Sequence, residues 1–149
     1  MTYTWSLAEV GDSAPASSRE VTDVEIAEYC RTARYENLVY TNQPAAQETG
    51  LPGIIAPPAM ILAIARPQLA DLAAGRGCQL PAALSHNPTA LAIRYQGVFV
   101  RPGDIIAAQT RLASKEEREG NFYLTFTVEV HNQDGQLVAE YDAEYLWDG

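Results

Sequence analysis

The stretch FYLTFTVEVHNQDGQLVAEYDAEYLW, residues 122–147, constrains the fold more than any other part of the chain. Phe122, Leu124, Phe126, Val128 and Val130 alternate with Tyr123, Thr125, Thr127 and Glu129. A period of two puts one set on the buried face of a strand and the other toward solvent. Asn132-Gln133-Asp134-Gly135 follows, and Asp-Gly is a hairpin-turn signal. Leu137, Ala139, Tyr141, Ala143, Tyr145 and Trp147 then alternate on the way back. The segment predicts two long antiparallel strands sharing one apolar face.

Two more strands are expected upstream. LAIRYQGVFV, 91–100, is stopped by Arg101-Pro102-Gly103, and DIIAAQTRLASKE, 104–116, follows it. KEEREGN, 115–121, reads as a charged turn into the hairpin. The first half of the chain has a different period. Thr22-Asp23-Val24-Glu25 has a hydroxyl followed three residues later by a carboxylate, the pattern of a capping box. It predicts a helix of about three turns through VEIAEYCRTAR. RYENLVYTNQ reads as loop, and PAAQETG as a short helical turn opened by Pro44 and stopped by Gly50. AMILAIARPQLADLAAGRG is apolar almost all round, which predicts a buried helix behind Pro57-Pro58. Pro67 should kink it or split it in two. Residues 79–89 read as loop, and 1–19 carry little pattern.

Helices followed by a run of antiparallel strands define an α+β fold, with the apolar helix against the sheet. The 149 residues fit one domain, and 47% apolar content suffices for a core. A net charge of −9 argues against nucleic acid and anionic membranes as partners. Cys30 and Cys78 form no metal-ligand or disulfide pattern, so free thiols are expected, with no metal and no cofactor. The N-terminus lacks a basic segment followed by an apolar one, and MILAIA is too short to span a bilayer. A soluble, cytoplasmic protein is the expectation.

The order of elements, together with EIAEYCRTARYENLVYTNQPAAQETGLPGIIAPPAM and the VFVRPGDII corner, resembles the MaoC-like family of hot-dog-fold (R)-specific enoyl-CoA hydratases and acyl-thioester dehydratases. The resemblance covers roughly residues 20–147 and implies a single hot-dog domain over 1–149, a long apolar central helix wrapped by a twisted antiparallel sheet. The family's loop reads Gly-Asp-x-Asn-Pro-(Ile/Val)-His. Here Tyr35 stands at the Asp position, Asn37 matches, and Tyr40 stands at the His position. Gly53-Ile54-Ile55-Ala56 matches the later segment, but Pro58 stands at its terminal glycine.

These departures touch the chemistry. Hydrating a 2-enoyl thioester needs water deprotonated at the β-carbon and a proton delivered to the α-carbon. In the family the Asp and His share that work. A tyrosine, with an ordinary pKa near ~10, is a poor base at neutral pH. A backbone N–H at the glycine position stabilises the enolate oxygen, and proline has none. The pattern Glu36, Tyr40 and Ala56-Pro57-Pro58 is closest to the non-catalytic subunit of two-subunit (3R)-hydroxyacyl-ACP dehydratases, although Leu38 replaces that branch's proline. The resemblance implies an acyl-CoA or acyl-ACP ligand. It also implies a homodimer, or a heterodimer with a catalytic MaoC-like subunit.

Tyr35, Tyr40, Asn37 and Glu36 are thus the candidates at the catalytic positions, and Ala56, Pro57, Pro58 and Met60 for contact with the substrate. Each has a plainer alternative. The tyrosines fit a dimer interface as well as a channel. Glu36 fits a solvated loop as well as a substitute base. Asn37 fits an Asx turn as well as a thioester contact. His86 and His131 have no motif around them and read as surface or turn histidines. Arg94, Arg101, Lys115 and Arg118 could meet a carrier phosphate or be solvated. Two further activities stay open: a hydratase or dehydratase with rearranged groups, and a hot-dog thioesterase.

Overall fold

The computed structural model describes residues 1–82 and 87–149, so the expectation for His86 lies outside the described residues. Among the described residues five strands and four α-helices follow in order: β1 Ser17–Glu20, α1 Asp23–Ala33, α2 Gln43–Glu48, α3 Pro58–Ile64, α4 Leu69–Gly75, β2 Ala90–Tyr95, β3 Ile105–Arg118, β4 Asn121–His131 and β5 Leu137–Trp147. The strands form one antiparallel sheet in the order β1-β3-β4-β5-β2. This is the expected α+β hot-dog architecture.

The hairpin behaves as its period dictates. Leu124, Phe126, Val128 and Val130 are fully buried at the centre of the sheet, with Ala139, Tyr141, Ala143, Tyr145 and Trp147 beside them. Phe126, Tyr145 and Trp147 pack ring against ring, with centroids 5.6–6.4 Å apart. The capping box of α1 also forms: the Glu25 N–H donates to Thr22 Oγ1, and the Thr22 N–H donates to Glu25 Oε2.

The apolar helix splits at its proline. Between α3 and α4 the chain is pinned to the sheet at two points. The Tyr141 hydroxyl donates to the Ala65 carbonyl, and the Gln68 N–H donates to Thr110 Oγ1 at 3.0 Å. Polar groups freed by the break thus find partners on β5 and β3, as buried groups must. The expectation of burial on every face needs correction. Met60, Ile61, Leu69, Leu72 and Ala73 are buried, while Ala63 is exposed and Leu62 and Ile64 are half-buried. The two short helices cover only part of the sheet, and the flank of α3 toward β2 stays open.

Three boundaries also differ from expectation. The strand expected over 91–100 ends at Tyr95, because Gly97 takes φ +71° and turns the chain away. The charged segment at 115–118 is strand, and the turn is only Glu119-Gly120, both at positive φ. Lys115 explains part of this: its ammonium donates to the Trp5 and Ala8 carbonyls and sits 4.1 Å from the centroid of the Trp5 ring. Residues 1–19, weakly patterned, form β1 and a strap across the end of the sheet. The Tyr3 N–H donates to the Gln79 carbonyl, Trp147 Nε1 donates to the Tyr3 carbonyl, and the Tyr3 hydroxyl donates to Asp12 Oδ2 at 2.7 Å.

Asp12 closes that strap. Its carboxylate accepts from the Tyr3 hydroxyl, the Glu9 N–H and the Arg76 guanidinium. Burial alone would raise its pKa, but the three hydrogen bonds and the Arg76 charge outweigh it and hold the carboxyl below its usual range. A depressed folded-state pKa contributes stability above the unfolded value, and that stability is lost as pH falls through the folded one. Asp12→Asn should therefore cost about 1–3 kcal/mol at neutral pH and flatten the fall of stability in acid below about pH 4. Denaturant titrations across pH check it; parallel curves for the two proteins would contradict it.

Candidate functional site

The loop after α1 is set by its backbone. Arg34 ends the helix in the left-handed region at φ 58°, and the Tyr35 N–H donates to the Cys30 carbonyl. This turn directs the Tyr35 ring back over α1, 5.9 Å from Tyr29 between centroids. Tyr40, on a one-turn 3-10 helix at Leu38–Tyr40, meets Tyr35 edge-on at 5.6 Å. The fold therefore brings Tyr35 and Tyr40 together. Asn37 caps the turn between them, its Oδ1 accepting from the Val39 N–H at 3.2 Å. That is the Asx-type role its residue type supports. Glu36 is exposed and makes no hydrogen bond or ion pair among the described residues.

A fourth tyrosine arrives from the edge of the sheet. Tyr95, at the end of β2, feels the Tyr35 hydroxyl electrostatically. It also lines a cavity of about 80 Å³ with Ala56, Pro58, Ile61, Val98, Phe99, Val100 and Val138. Burial pushes the hydroxyls of Tyr29 and Tyr95 above the ordinary tyrosine pKa, so both stay neutral near pH 7. Nothing in the sequence marks these two. Tyr29 sits within a helix whose pattern asked only for a core face, and Tyr95 reads as one more apolar position on a strand.

The Gly53–Met60 segment is stitched in place. The Ile54 N–H donates to Gln43 Oε1 at 3.0 Å, and the Ala56 N–H donates to the Val100 carbonyl at 2.7 Å. A Cβ at Gly53 would lie 2.5 Å from Gln43 Nε2, so glycine is what lets the side chain of α2 clasp this backbone. Pro57 is the N-cap of α3, and Pro58 occupies its first turn, where a missing N–H is tolerated. Ala56 and Pro57 are buried, and Pro58 is exposed on the wall of the cavity. Met60 points elsewhere, into a groove of about 280 Å³ between α1 and α3 that Tyr29, Thr32 and Ile64 also line.

Of the four basic residues considered for a carrier phosphate, three are engaged internally. Arg94 pairs with Glu140 and Asp142, Arg118 with Glu144 and Glu116, and Lys115 holds the N-terminal strap. Arg101 lines a groove of about 450 Å³ with Gln43, Gly53 and Asp104; its backbone N–H donates to Asp104 Oδ2, and its guanidinium pairs with no carboxylate among the described residues. His131 closes β4 opposite Ala107 and Leu137 and lines none of the cavities described here. Cys30 and Cys78 are free and buried, and burial raises the Cys30 thiol. Among the described residues no cluster of His, Cys, Asp and Glu is placed to hold a metal. No helix among them is long and apolar enough to cross a membrane.

A five-stranded antiparallel sheet carrying short apolar helices is a hot-dog architecture. The chain belongs to the FAS1-like, dehydratase domain region family, whose model matches residues 8–141. No curated protein matches the sequence. Solved structures that share the fold include a MaoC-like dehydratase from Rhodospirillum rubrum, with TM-score 0.74 and 17% identity over 98% of this chain and 97% of that one. The (R)-hydratase PhaJ1 of Pseudomonas aeruginosa superposes with TM-score 0.70 and 18% identity, over 97% of this chain and 85% of that one. The HadBC (3R)-hydroxyacyl-ACP dehydratase complex of Mycobacterium tuberculosis gives TM-score 0.70 and 19% identity, over 87% and 90%.

Proposed function

We propose that this chain binds an acyl-CoA or acyl-ACP thioester between α3 and β2 and contributes little or no hydration chemistry of its own. It works as a homodimer or as the non-catalytic partner of a catalytic MaoC-like subunit in the cytoplasm. The observation that carries this reading is the tyrosine cluster. Tyr35 and Tyr40 stand at the family's Asp and His positions and spend their rings on each other and on Tyr29. Among the described residues no histidine or carboxylate hydrogen-bonds to either hydroxyl, and Glu36 stays in solvent. Pro58 offers no N–H toward the thioester oxygen.

The pairing half of the proposal rests on β2. Leu91, Ile93 and Tyr95 lie directly across from Ala143, Tyr141 and Ala139, all buried, so they share the core face of the sheet. They are nonetheless 52%, 39% and 45% exposed, because α3 does not reach over the edge strand. An apolar edge strand with free backbone groups is a pairing surface. Two of the structures similar in fold come from two-subunit complexes, ChsH1-ChsH2 and HadBC. Calorimetric titration of the purified chain with hexanoyl-CoA should give saturable binding, one thioester per groove. Absence of saturable heat would overturn the thioester reading.

A further inference from the structure

A second cavity lies along the same groove, about 140 Å³, lined by Leu62, Arg66, Pro67, Pro88, Leu91, Tyr141, Ala143 and Tyr145. It shares its walls with the first. Pro58 and Ile61 of α3 face the first cavity, and Leu62 belongs to the second. Tyr95 of β2 lines the first and Leu91 the second, with Ile93 between them on the same face. At the rise of a strand, Leu91 and Tyr95 are about 13 Å apart. An acyl chain with its thioester beside Tyr35 and Pro58 would run along Ile93 and end in the second cavity.

That end is not purely apolar. Arg66 lines it, and no carboxylate among the described residues pairs with the guanidinium. Tyr145 is only 4% exposed, yet its hydroxyl makes no hydrogen bond among the described residues. Neighbouring Tyr141 is 3% exposed and already donates to the Ala65 carbonyl. Burial raises the pKa of both hydroxyls, and the Arg66 charge is close enough to oppose that rise. The Tyr145 hydroxyl, on the cavity wall, and the solvent-facing guanidinium of Arg66 beside it form a receptor for a planar anion. The floor of Leu62, Pro67, Leu91 and Ala143 suits methylene groups leading up to it.

Resting on the thioester reading above, we infer that the acyl group this groove selects carries a carboxylate at its far end, bound by Arg66 and the Tyr145 hydroxyl. A carrier phosphate is the other anion in the same molecule, but it leaves the thioester in the opposite direction from the acyl chain. Calorimetric titrations of the whole chain separate these cases. Adipoyl-, sebacoyl- and dodecanedioyl-CoA would each be compared with hexanoyl-, decanoyl- and dodecanoyl-CoA, with free adipate as a control. At least one carboxylated thioester should bind about tenfold more tightly than its plain counterpart, the worth of a charge-assisted hydrogen bond. Arg66→Gln should erase that preference and leave the plain thioesters within about twofold of wild type. Tyr145→Phe should reduce the preference in part.

The outcomes divide cleanly. Equal binding of the carboxylated and plain series overturns this inference and leaves thioester binding standing. If Arg66→Gln weakens both series alike, the anion is the carrier phosphate and the inference fails. Free adipate binding as tightly as adipoyl-CoA also overturns it. Binding of neither series overturns both this inference and the reading beneath it.

Discussion

Ile93→Glu should leave a folded chain that no longer pairs. Ile93 is on the core face of β2, opposite buried Tyr141, but is 39% exposed in the single chain. A glutamate there reaches water in the monomer, so folding loses little. In a pair formed along β2 the same carboxylate would be buried without a partner, at a cost above about 3 kcal/mol. Two-fold symmetry imposes that cost twice in a homodimer. Light scattering should therefore give a dimer for the wild type and a monomer for the variant, with closely similar circular dichroism. A variant that remains a dimer would show that pairing uses another surface.

How much of this was legible in the sequence depends on how local the cause is. The capping box at Thr22 and the hairpin through Asp134-Gly135 follow from neighbours in the chain, and both form as read. The break at Pro67 is equally local, although its anchors, Tyr141 and Thr110, are distant in sequence. What escaped the sequence is tertiary. The strap of residues 1–14 has no period because separate residues hold it, among them Tyr3, Asp12 and Lys115. Lys115 to Arg118 look like a turn because they are charged, yet β4 pairs with them throughout.

The site divides in the same way. Tyr35 and Tyr40 could be placed by motif, and the turn at Arg34 brings their rings together. Tyr29 and Tyr95 join them only because α1 and the edge of the sheet converge, which no local pattern encodes. Arg66 stands inside an apolar run, and no local pattern marks it. Its isolation from carboxylates becomes visible only when the neighbouring elements are in place.

A purified chain should bind crotonyl-CoA without hydrating it at an enzyme's rate. A positioned acid–base pair contributes about 10²–10⁴ to such a reaction. An oxyanion donor contributes about 10²–10³ more. On the proposed reading, which puts Tyr35 and Tyr40 at the acid–base positions and Pro58 at the donor position, the chain supplies neither contribution. Turnover should then fall at least about 10⁴-fold below that of a hydratase with the full set. The rearranged-enzyme alternative makes the opposite claim. It requires Tyr40→Phe and Glu36→Gln to lower a substantial rate, whereas here both variants should leave a negligible rate unchanged. The decisive measurement is a single-turnover assay with the chain in excess over crotonyl-CoA, following loss of the enoyl absorbance. The prediction is that the thioester is bound and its double bond persists. Rapid loss of the absorbance, slowed by Tyr40→Phe or Glu36→Gln, would contradict it.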